Sequence, residues 1–460
     1  MKEVYDVAVI GGGMGGLMAA YGLLQRERNL NILICDKGHR IGKRCCPLLE
    51  NNVAKCIECH PCSIMNGLAG AGAFSDGKFI KSTEYGGHLQ DFIGDTQSME
   101  YMNEVDDILM RFGAPTETYE PNQYLAELCK SNGLHIKHGI IKHFGTENNL
   151  KIMGRLIEYL EQHCTIISEC EVTDVNPVSH QIHATKLDKP TYANHVVFSV
   201  GRSGSVFFAD WCKKYHVPTY SRHVDIGVRV ELKSETWAKI SGITYDPKIS
   251  YVSQLYNDET RMFCFNDGGQ VVVENTFGSM TVNGHAYKGK ELKSDNSNFA
   301  LLTSIKLSEP FNNPIEYVNL IASSVNYLSG GTVIVQRFGD LRIGQRTTKD
   351  KIEISSIKPT LQSAYPGDLS LCIPKRQLDS IIETIIKLDS IAPGTANDDT
   401  LIYGIEGKYY SSIPEINNFE IAGYSNVYAC GDGCGITRSL AQAGANGLHI
   451  SNLILKSIEN

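Results

Sequence analysis

Close to its start the chain reads Val7-Ala8-Val9-Ile10-Gly11-Gly12-Gly13-Met14-Gly15-Gly16-Leu17-Met18-Ala19-Ala20, and twenty residues beyond Gly16 an acid, Asp36, closes a second apolar run, Ile32-Leu33-Ile34-Cys35. That order predicts a strand, a glycine turn, a helix and a second strand. In such a unit Gly11 makes the tight turn, Gly13 admits backbone to a pyrophosphate, and Gly16 lets helix and strand pack closely. The helix start then faces the phosphates. Its unpaired N–H groups and positive dipole end attract a diphosphate, while Asp36 accepts hydrogen bonds from a ribose diol. Gly15, in the same turn, and Lys37, beside the acid, complete the expected contacts.

A chain of 460 residues exceeds one simple core, and two or three domains are expected. The formal net charge is −8 with Lys and Arg dispersed, so neither a nucleic-acid partner nor an anionic membrane is expected. The first apolar run is broken by glycines and lacks a basic n-region, and no apolar stretch is long enough to span a bilayer. The expected compartment is cytoplasmic. Fourteen cysteines in that setting point to thiols, metal ligands or a redox pair rather than a disulfide framework.

A parallel sheet needs more strands than the opening unit supplies. Candidates are a helical stripe at Leu150, Met153, Leu156, Ile157 and Leu160 leading to Thr165-Ile166-Ile167, a buried strand His195–Val200 ending in Gly201-Arg202-Ser203-Gly204, and Val427-Tyr428-Ala429-Cys430 ending in Gly431-Asp432-Gly433. Between about 220 and 415 apolar residues alternate, as in Ile226–Glu231 and Gln270–Glu274, which suits a mixed or antiparallel sheet. The expected fold is α/β: a Rossmann-like nucleotide-binding domain assembled from segments 1–90, 141–220 and 416–460, a helical excursion at 91–140, and an inserted α+β substrate domain at 221–415.

The late Gly431-Asp432-Gly433 turn has no role in holding a nicotinamide dinucleotide on one Rossmann half, but an extended FAD explains it. The adenosine end would lie on the opening unit. Asp432 would take a ribityl or ribose hydroxyl, and N–H groups near Thr437 to Ser439 would face the reduced ring. The chain resembles the two-dinucleotide-fold flavoproteins, and within them bacterial FAD-dependent dehydrogenases. The resemblance is carried by the opening glycines, Gly70-Ala71-Gly72-Ala73-Phe74-Ser75-Asp76-Gly77-Lys78, His143–Thr146, Gly201–Gly204, Val224–Glu231, Arg261–Cys264, Thr281–His285, Asn296–Ala300, Gln336–Asp340 and the Gly431 turn. It implies FAD and an oxidoreductase, with Gly11, Gly13, Gly16 and Asp36 on the AMP half and Gly431, Asp432 and Gly433 on the middle. Gly72, Asp76, Gly201 and Arg438 join the expected cofactor contacts, and Arg44 falls where such proteins place a basic residue near the pyrophosphate, unless it is a solvated loop cation. A shared fold does not supply the substrate.

Cys45, Cys46, Cys56, Cys59 and Cys62 crowd eighteen residues. Cys59 and Cys62 are the expected catalytic dithiol, since redox pairs follow the second strand in disulfide reductases of related fold. An iron–sulfur cluster is the second reading, zinc with His60 the third, and packed thiols the fourth. His285 and Arg229 are candidates for facing substrate, although a histidine satisfied within its turn is the plainer reading. Arg337 and Asp340 read as a surface pair rather than a clamp.

The function expected from these features is a FAD-dependent dehydrogenase or reductase moving a hydride or electrons between flavin and a small organic substrate. No second GxGxxG with strand and acid follows residue 100, so the reductant is left open between transiently bound NAD(P)H, the substrate and an electron carrier. The alternative is a flavin electron-relay or redox-sensing protein, with or without an iron–sulfur cluster and served by a redox partner protein. A flavoprotein acting on tRNA is disfavoured by the acidic balance.

Overall fold

The computed structural model describes residues 3–27, 29–47, 57, 59–75, 77–221, 223–244, 246–276, 278–285, 293–306, 313–408 and 410–459. Two compact units result: Met1–Thr118 with Gly139–Tyr220 and Ser411–Asn460, and Tyr119–His138 with Ser221–Tyr410.

In the first unit five strands run parallel: β1 (Val4–Ile10), β2 (Ile32–Cys35), β3 (Thr165–Ile167), β4 (Thr191–Phe198) and β5 (Val427–Ala429). Their order is β3-β2-β1-β4-β5, the doubly wound arrangement, with an antiparallel pair Val172–Val175 and Gln181–Ala184 leading into β4. The strands read as nearly continuous apolar runs because both faces of a parallel sheet are covered. The covering helices include α1 (Met14–Arg26), α2 (Asp95–Arg111), α3 (Thr146–Glu161) and α4 (Leu440–Glu459). A Cβ at Gly447 would overlap the Gly15 carbonyl and one at Gly22 the Ser451 hydroxyl, so α1 and α4 meet backbone to backbone. This is why the last helix is rich in small residues.

The second unit is built on an eight-stranded, mainly antiparallel sheet. Val224–Lys233 is central, paired with Asn296–Ile305 on one side and Leu401–Lys408 on the other. A separate hairpin, Gln270–Thr276 and Ser279–His285, packs over it, and the helices Pro314–Ser329 and Lys375–Asp389 bury apolar stripes.

The stretch 91–140 is not one excursion. Helix α2 buries Met102, Val105, Ile108 and Leu109 in the core of the first unit, whereas Gln123–Ser131 buries Leu125 and Cys129 in the second, and His135–Ile136 adds an edge strand there. Likewise Ile413–Pro414 pairs with Thr219–Tyr220 and so stays with the first unit. Among the described residues no helix is long and apolar enough to cross a membrane.

Candidate functional site

The glycine turn follows β1 directly. Gly11 sits at φ +108°, where an L side chain is strained, and a Cβ there would overlap the backbone carbonyl of Ser199 just beyond β4. Gly16 closes against the Gly11 carbonyl and Val9. Gly13 starts α1 with no side-chain cap, and a Cβ there would meet only the Gly70 Cα at 4.0 Å. The first-turn N–H groups of α1 therefore meet an open backbone cradle, the arrangement an anionic diphosphate requires. Gly15 faces the other way. Its neighbours on the Cβ side are Cys430, Ser199 and the Ala443 carbonyl, so a side chain there is excluded by the packing of α1 on the sheet and α4.

Asp36 is buried at the end of β2, its Oδ2 accepting from the Gly12 N–H and its Oδ1 from the Gly38 N–H, both at 2.8 Å. Two backbone donors lock the carboxylate in place and leave it further lone pairs for a diol. An amide in its place would set its own NH2 against one of these donors. Asp36→Asn should therefore weaken FAD binding about tenfold or more. Titration of the apoprotein with FAD checks this, and an unchanged dissociation constant would remove Asp36 from the site. Lys37 reaches instead to the Ser203 carbonyl, at 3.1 Å.

Arg44 has a different employment from the one expected. Its guanidinium is buried and donates to the carbonyls of Ser63 (2.8 Å), Ile64 (2.7 Å), Leu68 (2.9 Å) and Gly70 (2.8 Å), with the Phe74 ring 4.6 Å away. Burial pulls it down to about 10 against the opposing pull of Asp36 and then Cys62. Arg44 thus ties the loop that sets Gly70 against Gly13 and is neither a solvated loop cation nor free to clamp a pyrophosphate.

The second turn lies at the end of β5. Gly431, at φ +83° with no atom within 4 Å of an added Cβ, donates its N–H to Asn446 Oδ1 at 2.9 Å. Gly433 lies tight against the carbonyls of Val200 and Gly201, and Asp432 pairs with Arg202 at 3.5 Å. Gly201 itself is exposed. Two buried polar atoms here have no hydrogen-bond partner, Thr437 Oγ1 and Asn446 Nδ2. Buried groups are rarely left so, and a hydroxylated ligand chain would satisfy both. The sequence pointed to the backbone near Thr437 but not to its hydroxyl, and Asn446 did not stand out; it is the one amide amid small residues in its turn of α4. Gly72 packs against Leu440 at the start of α4 while its carbonyl accepts from Asn149 Nδ2 at 2.8 Å. Arg438 is half-buried, its N–H donating to the Gly86 carbonyl at 3.1 Å. Asp76 and Cys56 lie outside the described residues.

Cys59 and Cys62 are half-buried and not disulfide-bonded, and Cys62 lies close enough to Arg44 to act on its charge. Among the described residues no group of three or more His, Cys, Asp or Glu side chains is gathered to hold a metal ion.

In the second unit Arg229 is fully buried rather than set at a surface. Its Nε donates to Asn298 Oδ1 (3.0 Å), one terminal nitrogen to Glu406 (3.1 Å) and the other to the Cys264 carbonyl (3.2 Å), while Lys408 also pairs with Glu406 (3.0 Å). A Cβ on Gly284 would collide with the guanidinium, which explains the glycine in the hairpin. His285 is exposed at the hairpin end. Asp340, read as half of a surface pair, is buried, accepting from Thr347 and Lys351 as well as lying 3.6 Å from Arg337.

Residues 224–409, essentially the larger segment of the second unit, match the family model described as FAD-dependent protein, C-terminal domain-like, and residues 9–48 match that of the NAD(P)-binding Rossmann-like domain. Because flavin is a redox cofactor, these matches define the class: the chain is a FAD-dependent oxidoreductase with a Rossmann-like domain. A Clostridium beijerinckii protein, described as uncharacterised, is 24% identical over 98% of this chain and 81% of its own length. Among solved structures, glycine oxidase from Geobacillus kaustophilus aligns with TM-score 0.40 at 10% identity over 99% of this chain and 95% of that one. L-proline dehydrogenase from P. horikoshii aligns with TM-score 0.42 at 9% identity over the same shares.

Proposed function

We propose that this chain transfers a hydride or electrons between FAD and a small organic substrate, with Cys59 and Cys62 as an assisting dithiol. The observation that carries the cofactor end is the uncapped start of α1, framed by the locked carboxylate of Asp36 on one side and the Gly431 turn on the other. Gly11, Gly13 and Asp36 would hold the AMP half and diphosphate. Gly431, Asp432, Thr437 and Asn446 would hold the ribityl stretch, with Thr437 Oγ1 and Asn446 Nδ2 gaining partners. Bound FAD would supply the two-electron acceptor. The chain's own part is to bind, orient and desolvate, and Arg44 ties down the backbone just after Cys62 through the Ser63 and Ile64 carbonyls.

An anaerobic absorbance spectrum, with iron and acid-labile sulfide assayed on the same sample, tests this. A flavin spectrum without iron is expected. Iron and sulfide would reassign the cysteines to a cluster, and colourless protein unable to take up FAD would defeat the reading. The double variant Cys59→Ser/Cys62→Ser should keep its flavin but slow the reduction of substrate or flavin about tenfold. Unaltered stopped-flow kinetics would strip the two thiols of a role.

A further inference from the structure

We propose that Gln442 is a positioning residue for FAD: it clamps residues 82–89 across the start of α4 and so keeps Thr437 and Ser439 turned to the cofactor. The role toward FAD rests on the cofactor assignment above; the clamp does not.

The start of α4 reads Ser439-Leu440-Ala441-Gln442, the pattern of a capping box. In that motif the serine hydroxyl accepts from the glutamine N–H, and the glutamine side chain reaches back to the serine N–H. Only the first half forms here, Ser439 Oγ accepting from the Gln442 N–H at 3.2 Å. The Gln442 side chain crosses instead to a distant segment, its Nε2 donating to the Ser82 carbonyl at 3.0 Å and its Oε1 accepting from the Leu89 N–H at 3.2 Å. Gln442, Ser82 and Leu89 are all buried. A buried amide that forgoes its local partner for two main-chain groups of one segment fixes that segment in place.

Between the two anchor points the chain turns through Gly86 and Gly87, at φ +94° and +137°. Gly87 forms an antiparallel bridge with Thr437, the Gly86 carbonyl accepts from the Arg438 N–H at 3.1 Å, and the His88 N–H donates to the Ile436 carbonyl at 3.1 Å. A Cβ on Gly87 would lie 2.3 Å from Gln442 Oε1 and 2.9 Å from the Thr437 Cα, so glycine, amide and threonine are fitted to one another. The Arg438 N–H, one of the donors expected to face the reduced ring, is therefore taken by the clamped segment. What this stretch keeps for the cofactor is the buried Thr437 Oγ1, which has no partner, and the Ser439 N–H, which the diverted amide leaves without an acceptor among the described residues. Gln442 acts on both through the backbone it holds. Loss of the clamp admits water to the bridge, where it competes with the cofactor for the same two groups.

The test compares Gln442→Met, which removes the amide, with Gly87→Ala, which presses on the clamp from its other side, and with Asn452→Leu as a control. Asn452 lies further along α4 and bonds the Tyr101 hydroxyl at 2.9 Å, so its loss costs stability away from the turn. Each full-length protein is titrated with FAD, unfolded in urea, and its bound flavin exposed to iodide as a fluorescence quencher. Gln442→Met and Gly87→Ala should each weaken FAD binding about tenfold and open the bound flavin to iodide, while Asn452→Leu keeps the parent's affinity and quenching despite a lowered urea midpoint. Parent-like affinity and quenching in both variants, or equal losses in Asn452→Leu, would overturn the proposal. Amide exchange over residues 82–89 in the FAD-free protein, expected to quicken in Gln442→Met, reads the clamp apart from the cofactor. If the parent takes up no FAD, the cofactor assignment fails and the positioning role with it, while exchange still decides whether Gln442 holds the segment.

Discussion

Replacing Gly11 by valine is expected to abolish FAD binding and to destabilise the first unit. The residue sits at φ +108°, and its Cβ would overlap a backbone oxygen, at Ser199, that cannot rotate away. A β-branched side chain at positive φ costs about 1–3 kcal/mol before the overlap is counted. Together they amount to more than about 3 kcal/mol, equivalent to over a hundredfold in affinity if borne by the bound state. Gly42 provides the contrast: its φ is not positive and no atom lies within 4 Å of an added Cβ, so Gly42→Ala should behave as the parent. FAD titration and urea denaturation of the three proteins would show the difference. A Gly11→Val protein that still binds FAD tightly would mean that the turn is not the diphosphate cradle.

The second large effect is expected at Arg229→Met. The side chain is fully buried, and removing its charge leaves Glu406, 1% exposed, with Lys408 as its remaining cation and leaves Asn298 Oδ1 and the Cys264 carbonyl each short of a donor. Breaking one side of a buried charge network typically costs about 3–5 kcal/mol. The variant should lower the urea midpoint of the second unit accordingly. If the double variant Arg229→Met/Glu406→Gln recovers much of that loss, the cost lies in the orphaned charge. If it does not, the cost lies in the packing of the long side chain against Gly284 and Asn266.

Neighbouring carboxylates in that sheet behave differently for a physical reason. Burial acts first on both Glu231 and Asp225. Around Glu231 the neutral donors Thr360, Tyr403 and Asn296 do not overcome it, and its carboxyl stays above the ordinary value. At Asp225 the cation Arg261, then His223, reverse the balance and hold it below. Asp225 therefore contributes stability above the ordinary carboxylate range, lost as pH falls through its lowered folded value; Glu231 acts in the opposite sense as pH rises through its raised one.

Much of the first unit was legible in the chain itself. The strand, turn, helix, strand and acid from Val4 to Asp36 are local signals, since a period of apolar residues and a glycine at a fixed spacing act over a few residues. The later segments at 146–161, 191–201 and 427–433 were recognisable for the same reason, as was the mixed sheet of the central stretch. The destinations of individual side chains were not. Arg44 reads as a loop cation near phosphate, yet four carbonyls between Ser63 and Gly70 consume it. Gly15 and Gly16 are adjacent, but one packs on a helix that arrives some 430 residues later and the other on the turn itself.

By itself, then, the sequence determined the doubly wound nucleotide-binding framework, the placement of its glycines and acid, and the change of texture that marks the second unit. Only the tertiary structure decided that residues 95–111 and 119–138 part company, and that Arg229, Asn298 and Glu406 meet in one buried network. Periodicity records which face of an element is apolar. It does not record which distant element covers that face, and a polar or thiol side chain carries no mark of its partner until burial forces the two to satisfy one another.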